Sequence, residues 1–188
     1  DFGSSFNPRT GIVWDFNNKG GLLKLSYGSA FKAPNFTQLY NQNNPSIIGN
    51  TELKAEELDS IELSLNYIFA EKLMTSLSLY QIKTKDQIDL SDTRDYTKVG
   101  APKYFINKGR YEIYGSEFEA RYFFKEKSYL FATYAYTEGE NRVTDLDIPW
   151  MPGHQLSAGF NIHFLENFNW NIDADYVGKR EREASDPR

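Results

Sequence analysis

The chain has 188 residues, 16% of them aromatic, a net charge of −5 and no cysteine. A pI near 5.1 and the lack of any basic run longer than Lys179-Arg180 exclude a nucleic-acid surface and a polybasic membrane anchor. Without cysteine there is neither a disulfide scaffold nor a thiolate metal site. No stretch approaches 18 uninterrupted apolar residues, which excludes a membrane-crossing helix. A β-barrel wall needs no such run, because every second residue faces the lumen. Fourteen Phe, thirteen Tyr and three Trp beside a mean hydropathy of −0.61 suit a wall of that kind, and equally a soluble all-β domain rich in tyrosine.

In chain order, Ile12, Trp14 and Phe16 alternate with Val13 and Asp15 as a short strand, and Asn17-Asn18-Lys19-Gly20-Gly21 signals a turn. From Gly21 the alternation is long: Leu23, Leu25, Tyr27, Ser29 and Phe31 oppose Lys24, Ser26, Gly28 and Ala30. Proline ends the run at Lys32-Ala33-Pro34. A long polar excursion follows before alternation resumes at Ile61, Leu63, Leu65, Tyr67 and Phe69. After a minimal turn at Ala70-Glu71-Lys72 comes a strand over Leu73–Asp89, whose far half from Thr84 is too polar for lipid. A second excursion, roughly Leu90–Lys103, leads to a strand with Phe118, Ala120, Tyr122 and Phe124 opposite Glu117, Glu119 and Arg121. Leu130, Ala132, Tyr134 and Tyr136 share a face beyond the turn Lys125-Glu126-Lys127-Ser128, and a third excursion runs from Glu138 to Gly153. The clearest alternation, His154–Phe164, and its partner Phe168–Tyr176 close the series. About eight antiparallel strands are predicted, with no amphipathic helix between them.

Two regularities separate a barrel wall from a soluble sandwich. Connections alternate short and long, as in outer-membrane barrels with short periplasmic turns and long extracellular loops. Aromatics gather at both ends of the apolar faces: Phe69, Phe124, Phe164 and Trp170 near the short turns, Tyr27, Phe31, Tyr136 and Tyr176 near the long loops. The other faces carry Glu62, Asn66, Glu117, Glu119, Arg121, Asn161, Asp173 and Asp175, which suit an aqueous or plugged interior. The predicted fold class is therefore all-β: an antiparallel up-and-down transmembrane β-barrel wall.

The residues around the first long loop are the most specific. Phe31-Lys32-Ala33-Pro34, then Leu39-Tyr40, then Gly49-Asn50-Thr51-Glu52-Leu53-Lys54-Ala55-Glu56 resemble the paired FRAP…ELY and GNPxLKPE signatures of TonB-dependent outer-membrane receptors. Asn107-Lys108-Gly109 through Gly115-Ser116-Glu117 is similar to the family's N-x-G…G-x-E segment. Pro152-Gly153-His154-Gln155-Leu156 is similar to a strand opening of the family, and Tyr176-Val177-Gly178-Lys179-Arg180 to a strand exit. The departures are Lys32 for arginine, and Thr51 and Ala55 for prolines.

The resemblance implies a receptor importing a ferric siderophore or similar metal chelate through a plugged barrel in the bacterial outer membrane. Its implied partners are the TonB–ExbB–ExbD complex, the outer-membrane lipid and an extracellular ligand. Cobalamin is the nearest alternative ligand, and a non-transporting barrel such as an adhesin or assembly protein the alternative class. The family's N-terminal plug, TonB box and closing C-terminal strands have no counterpart here, so residues 1–188 are expected to be part of a larger barrel of about 22 strands. Both ends, Asp1-Phe2-Gly3 and Glu183–Arg188, read as interrupted sequence.

Catalysis finds no support: there is no nucleophile elbow, no HExxH and no phosphate-cradling glycine loop. No resident cofactor or metal is expected, since His154 and His163 are too few for a site. The candidate ligand contacts are loop aromatics and arginines: Tyr40, Arg94, Tyr96, Tyr104, Arg142, Trp150, Arg180 and Arg182. These side chains suit an anionic, ring-bearing chelate through charge-assisted hydrogen bonds and cation–π contact.

Overall fold

The computed structural model describes residues 5–17 and 20–182. Eight long strands lie side by side in chain order: β1 (Arg9–Asp15), β2 (Leu22–Lys32), β4 (Glu56–Phe69), β5 (Leu73–Leu90), β6 (Lys103–Lys125), β7 (Ser128–Asn141), β9 (His154–Phe164) and β10 (Phe168–Val177). Every neighbouring pair on this path is antiparallel. The two-residue strands β3 (Ile47–Ile48) and β8 (Leu146–Asp147) lie off the path, in the loops. Asn18 and Lys19 of the predicted first turn, Asp1–Gly3 and Glu183–Arg188 fall outside the described residues.

Register carries the period-two pattern across the whole sheet. Trp14 faces Leu23, which faces Leu65, then Leu77, Phe118, Tyr134, Leu156 and Tyr176 in succession. Because directly paired residues share a face, one side of the sheet is apolar from β1 to β10. The other side carries Lys24, Glu62, Ser64, Ser78, Glu117 and Ser157. A hollow of about 910 Å³ lined largely by these polar-face residues of β1, β2, β4 and β5 makes the polar face the concave one. The apolar face is therefore convex, and it is open: Leu79, Leu130, Trp170 and Ile172 are all exposed. From Ile61 to Phe69 it runs about 26 Å along β4 at roughly 3.3 Å per residue. Allowing a tilt near 40°, that is about 20 Å of depth, comparable with the apolar band about 25 Å tall of outer-membrane barrels.

Both aromatic girdles are present on that convex face. At the short-turn end Trp14, Phe16, Tyr67 and Phe69 form a chain of ring contacts 4.4 to 6.0 Å apart, and Phe164 stacks on Phe168 at 5.7 Å. At the long-loop end the tyrosines turn their hydroxyls toward charge: Tyr27 donates to Asp59 at 2.7 Å and Tyr136 to Glu138 at 2.7 Å. An apolar ring with a wet tip is the side chain an interface selects. Beyond the girdle the same face becomes ionic, with Lys85 on Glu57 at 2.6 Å and Lys83 on Glu112 at 3.0 Å.

Short connections are tight for a visible reason. Ala70 and Glu71 both take positive φ (46° and 58°) and Lys72 N–H returns to the Phe69 carbonyl at 3.0 Å. Two left-handed residues match the twist of the flanking strands, a geometry usually taken by Asn-Gly.

The long loops depart from expectation. The stretch after Pro34 was predicted as an unbroken polar excursion, yet it holds a helix, α1 (Phe36–Tyr40), and β3, which pairs parallel with Lys103–Tyr104 of β6. The eight long strands are antiparallel neighbours as expected; the loop adds a five-residue helix and one parallel two-residue pairing that the sequence reading did not include. A five-residue helix is too short to display a period, and a two-residue strand too short to alternate. Local chemistry carries α1 instead: Asn35 Oδ1 accepts from Gln38 N at 2.9 Å while Gln38 Oε1 accepts from Asn35 N at 2.9 Å, a reciprocal capping box.

Candidate functional site: the long-loop mouth

Three buried hydrophobic side chains stand out among the described residues: Leu39, Ile48 and Leu53, each 5–6% exposed, and all three belong to the loop between β2 and β4. They exist because the loop folds back on itself. Asn50 N–H reaches Gln38 O at 2.8 Å, Gly49 N–H reaches Asn41 O at 2.6 Å, and Asn41 Nδ2 donates to Ile47 O at 3.1 Å. Gly49 is required by close approach, since a Cβ there would stand 2.6 Å from the Leu39 carbonyl carbon. Pro34 is buried at the entry to the same loop.

Two of the sequence signatures meet at this loop. The β5–β6 register slips between Thr84 and Ile88, and Asp86 takes φ +55°. Such a bulge leaves backbone groups without ladder partners. Here Glu56 Oε1 accepts from Ile88 N at 2.9 Å, and Asn107 Nδ2 donates to Asp86 O at 2.6 Å. Asn107 also clamps the loop itself: its Oδ1 accepts from Lys54 N at 2.8 Å and its Nδ2 donates to Lys54 O at 3.0 Å. Asn50 Nδ2 adds a bond to Phe105 O at 2.9 Å. The buried carboxylate of Glu56 is neutralised by Lys32 Nζ at 2.8 Å. The lysine in place of the family's arginine thus still supplies a cation. At Gly109 a Cβ would meet Gln87 Cβ at 2.6 Å, so glycine lets the bulge close against β6. On the concave face, lower on β6, Tyr80 lies flat across Gly115, where a Cβ would be 2.2 Å from the ring, and reaches Thr137 Oγ1 at 3.2 Å. Glu117 is two residues further on, on the same face.

All the candidate ligand contacts but Arg142 fall into three places. Tyr40 sits on α1 with its ring 5.1 Å from that of Phe36, which is 78% exposed. Arg94 and Tyr96 belong to the 91–102 loop, where Arg94 Nη1 donates to Ala101 O at 3.0 Å and Tyr96 is exposed. That loop rests on the first one. Gly100, at φ +84°, approaches Pro45 so closely that a Cβ would be 2.6 Å from its carbonyl oxygen. Tyr104, the partner of Ile48, takes Ser91 N–H on its carbonyl at 2.8 Å. Trp150, Arg180 and Arg182 lie where the 142–153 loop meets the segment after β10. Trp150 N–H bonds Glu181 O at 2.8 Å and Pro152 bridges Arg180. Arg182 lines a hollow of about 440 Å³ with Tyr111, Asn141 and Asp147. Arg142 stands apart, on the convex side, where its Nε bonds Glu112 at 3.0 Å and its guanidinium also pairs with Glu140.

Charge in the exposed loops is locally matched. Lys108 at 2.7 Å holds the Asp92 carboxyl below its ordinary range, and the Thr97 hydroxyl does the same for Asp95. Among the described residues no group of three or more His, Asp or Glu side chains is placed to hold a metal.

Sequence reasoning found the signatures but missed Asn107 as the link between them; the available signal was an asparagine opening one signature at the base of a loop that carries the other.

Residues 1–188 match the family described as TonB dependent receptor-like, beta-barrel. The vitamin B12 transporter BtuB of Vibrio cholerae is 32% identical over 188 residues, an alignment covering 96% of this chain and 27% of the transporter. The iron-regulated outer membrane virulence protein of the same species is 27% identical, covering 95% of this chain and 30% of that protein. Among solved structures, the ferric enterobactin receptor PfeA of Pseudomonas aeruginosa superposes with a TM-score of 0.78 at 18% identity, over 95% of this chain and 29% of the receptor. The chain thus spans under a third of the length of each; BtuB is a transporter and PfeA a receptor, not enzymes. A convex apolar band between two aromatic girdles, a concave polar face, a folded first loop and a family match over the full length lead to one conclusion: the chain belongs to the TonB-dependent receptor family, in its β-barrel domain.

Proposed function

We propose that the chain forms part of the wall and mouth of a bacterial outer-membrane receptor that takes up a ferric siderophore or a similar metal chelate. The observation that carries this reading is the two-faced sheet: apolar and girdled outside, polar and concave inside, with its folded loops all at one end. The eight long strands are then a section of a larger barrel, whose plug engages the TonB–ExbB–ExbD complex. Tyr40 and Tyr96, with Trp150, Arg180 and Arg182, are the proposed contacts for an anionic, ring-bearing ligand. Arg142 is a weaker contributor, because Glu112 and Glu140 already hold its charge on the convex side. Cobalamin is the second reading, favoured by the 32% identity to a vitamin B12 transporter.

The test is a titration of the full receptor with a ferric catecholate, a ferric hydroxamate and cyanocobalamin, followed by tryptophan fluorescence. Saturable, submicromolar binding of a ferric chelate supports the first reading, and of cyanocobalamin alone the second. Absence of binding to all three, in a receptor that migrates as a folded barrel, would overturn both.

A further inference from the structure

We propose that Asn107 is a positioning residue that pins the 33–55 loop to the inner wall, making the loop a fixed sill of the mouth. The inference rests on the reading of this end as a receptor mouth, and it reaches past that reading to how the mouth is built. One amide makes three bonds here: it accepts from Lys54 N, and donates to Lys54 O and to Asp86 O. Bonding the N–H and the C=O of one residue is what a neighbouring strand would do, so the Asn107 side chain acts as a one-residue strand for the loop. Its third bond uses a carbonyl at the β5 bulge, so the bulge and the clamp depend on each other.

The pin is one of several ties between the loop and the wall, and a single amide makes three of the bonds. Asn50 on Phe105 O and Glu56 on Ile88 N flank it, and β3 pairs with β6 three residues before it. Above it lies the chain's cluster of buried hydrophobic side chains, Leu39, Ile48 and Leu53. Phe36 and Tyr40 ride on this body through a capped helix, so their rings are held in place before any ligand arrives. Preorganised contacts lose less entropy on binding than contacts made by a closing loop.

The experiment uses the full receptor in outer-membrane fragments, with Leu53→Cys, a truncation shared by every receptor compared, as reporter of how far the loop is closed. Residues 1–188 hold no cysteine, and any cysteine elsewhere in the receptor is first replaced by serine. Labelling by a membrane-impermeant maleimide is timed with Asn107 present, with Asn107→Ala, and with Asn107→Asp, which keeps size and acceptor but removes both donations. Heat-modifiable migration reports whether the barrel itself is folded. The expected result is slow labelling with Asn107 and labelling faster by roughly tenfold or more in both variants, since two or three of the bonds that tie the loop to the wall are lost, with the barrel folded throughout. Equal labelling rates in folded receptors would overturn the proposal. So would failure of both variants to assemble, because Asn107 would then be holding the wall and not the loop. A receptor that shows the expected labelling but binds none of the three chelates above would count against the uptake reading alone.

Discussion

The wall and the mouth of this chain are held by opposite means. In the wall the large apolar side chains are exposed or half-buried and none is fully buried among the described residues of the eight long strands, and the strands are joined by backbone ladders and by cross-strand contacts such as Phe160 edge-on to Trp170 at 5.3 Å. In the mouth a single loop buries Leu39, Ile48 and Leu53 and is tied to the wall by Asn50 on Phe105 O, by Asn107 on the Lys54 backbone and by Glu56 on Ile88 N. The difference is one of solvent. On the proposed reading lipid takes the place of a core for the wall, so hydrophobic residues point outward and need only be apolar. The loop stands in water and must build a small interior of its own.

The largest expected effect comes from putting charge on the lipid side. Phe160→Arg or Ile162→Arg should each cost about 2–4 kcal/mol of barrel stability, and Asn161→Arg, one residue away on the concave side, far less. Folded receptor recovered in outer-membrane fractions measures this, and equal recovery of all three would break the comparison at its root. Next comes Leu53→Ala in the mouth, expected to cost about 2–5 kcal/mol as a buried leucine truncation, but to spend it locally. Hydrogen exchange should speed up at Gly49, Asn50 and Lys54 while the β4–β5 ladder keeps its protection; uniform acceleration would mean that wall and mouth unfold together.

Smaller effects sharpen the picture. Gly115→Ala should cost about 1–3 kcal/mol, since Tyr80 covers the site and must leave its Thr137 partner to make room. Removing the ring with Tyr80→Ala in the same receptor should recover part of that loss, read as the denaturant midpoint. The weakest device is the Lys108–Asp92 pair in the exposed 91–102 loop. The Asp92 pKa is lowered on folding, so the stabilisation is fully present above the ordinary carboxylate value near 3.8 and disappears as pH falls through the lower folded value. Exchange protection at the start of that loop should stay flat from neutral pH down to about 4 and fall only below it, and Asp92→Asn should remove the acid-dependent step.

Much of the wall was legible in sequence because its physics is periodic. The strands Leu73–Asp89 and His154–Phe164 appear within a residue of their predicted bounds, as alternation plus turn residues leaves few other registers. Strands were underestimated beyond the apolar band: β4 begins at Glu56 and β7 runs on to Asn141, in stretches whose charged residues blur the alternation. The mouth was legible only as resemblance. Asn50, Lys54 and Glu56 are recognisable as a signature, but their roles depend on Phe105, Asn107 and Ile88, more than thirty residues away, through a register slip that no local pattern announces. For the same reason α1 and β3 were missed, being fixed by tertiary contacts and by a cap instead of by a period.

The central claim is that one face of this sheet meets lipid and the other does not. Nitroxide scanning of β9 in membrane-embedded full receptor tests it directly, at Leu156, Ser157, Ala158, Phe160, Asn161, Ile162 and His163. Gly159 is left out because a side chain there would strike Ile172 O and the Phe131 ring. The account predicts a period of two: collision with oxygen, which concentrates in lipid, should peak at Leu156, Ala158, Phe160 and Ile162. It should fall at Ser157, Asn161 and His163. A flat profile, or maxima at the odd-numbered positions, would contradict the assignment of faces on which the wall, the mouth and the receptor reading all depend.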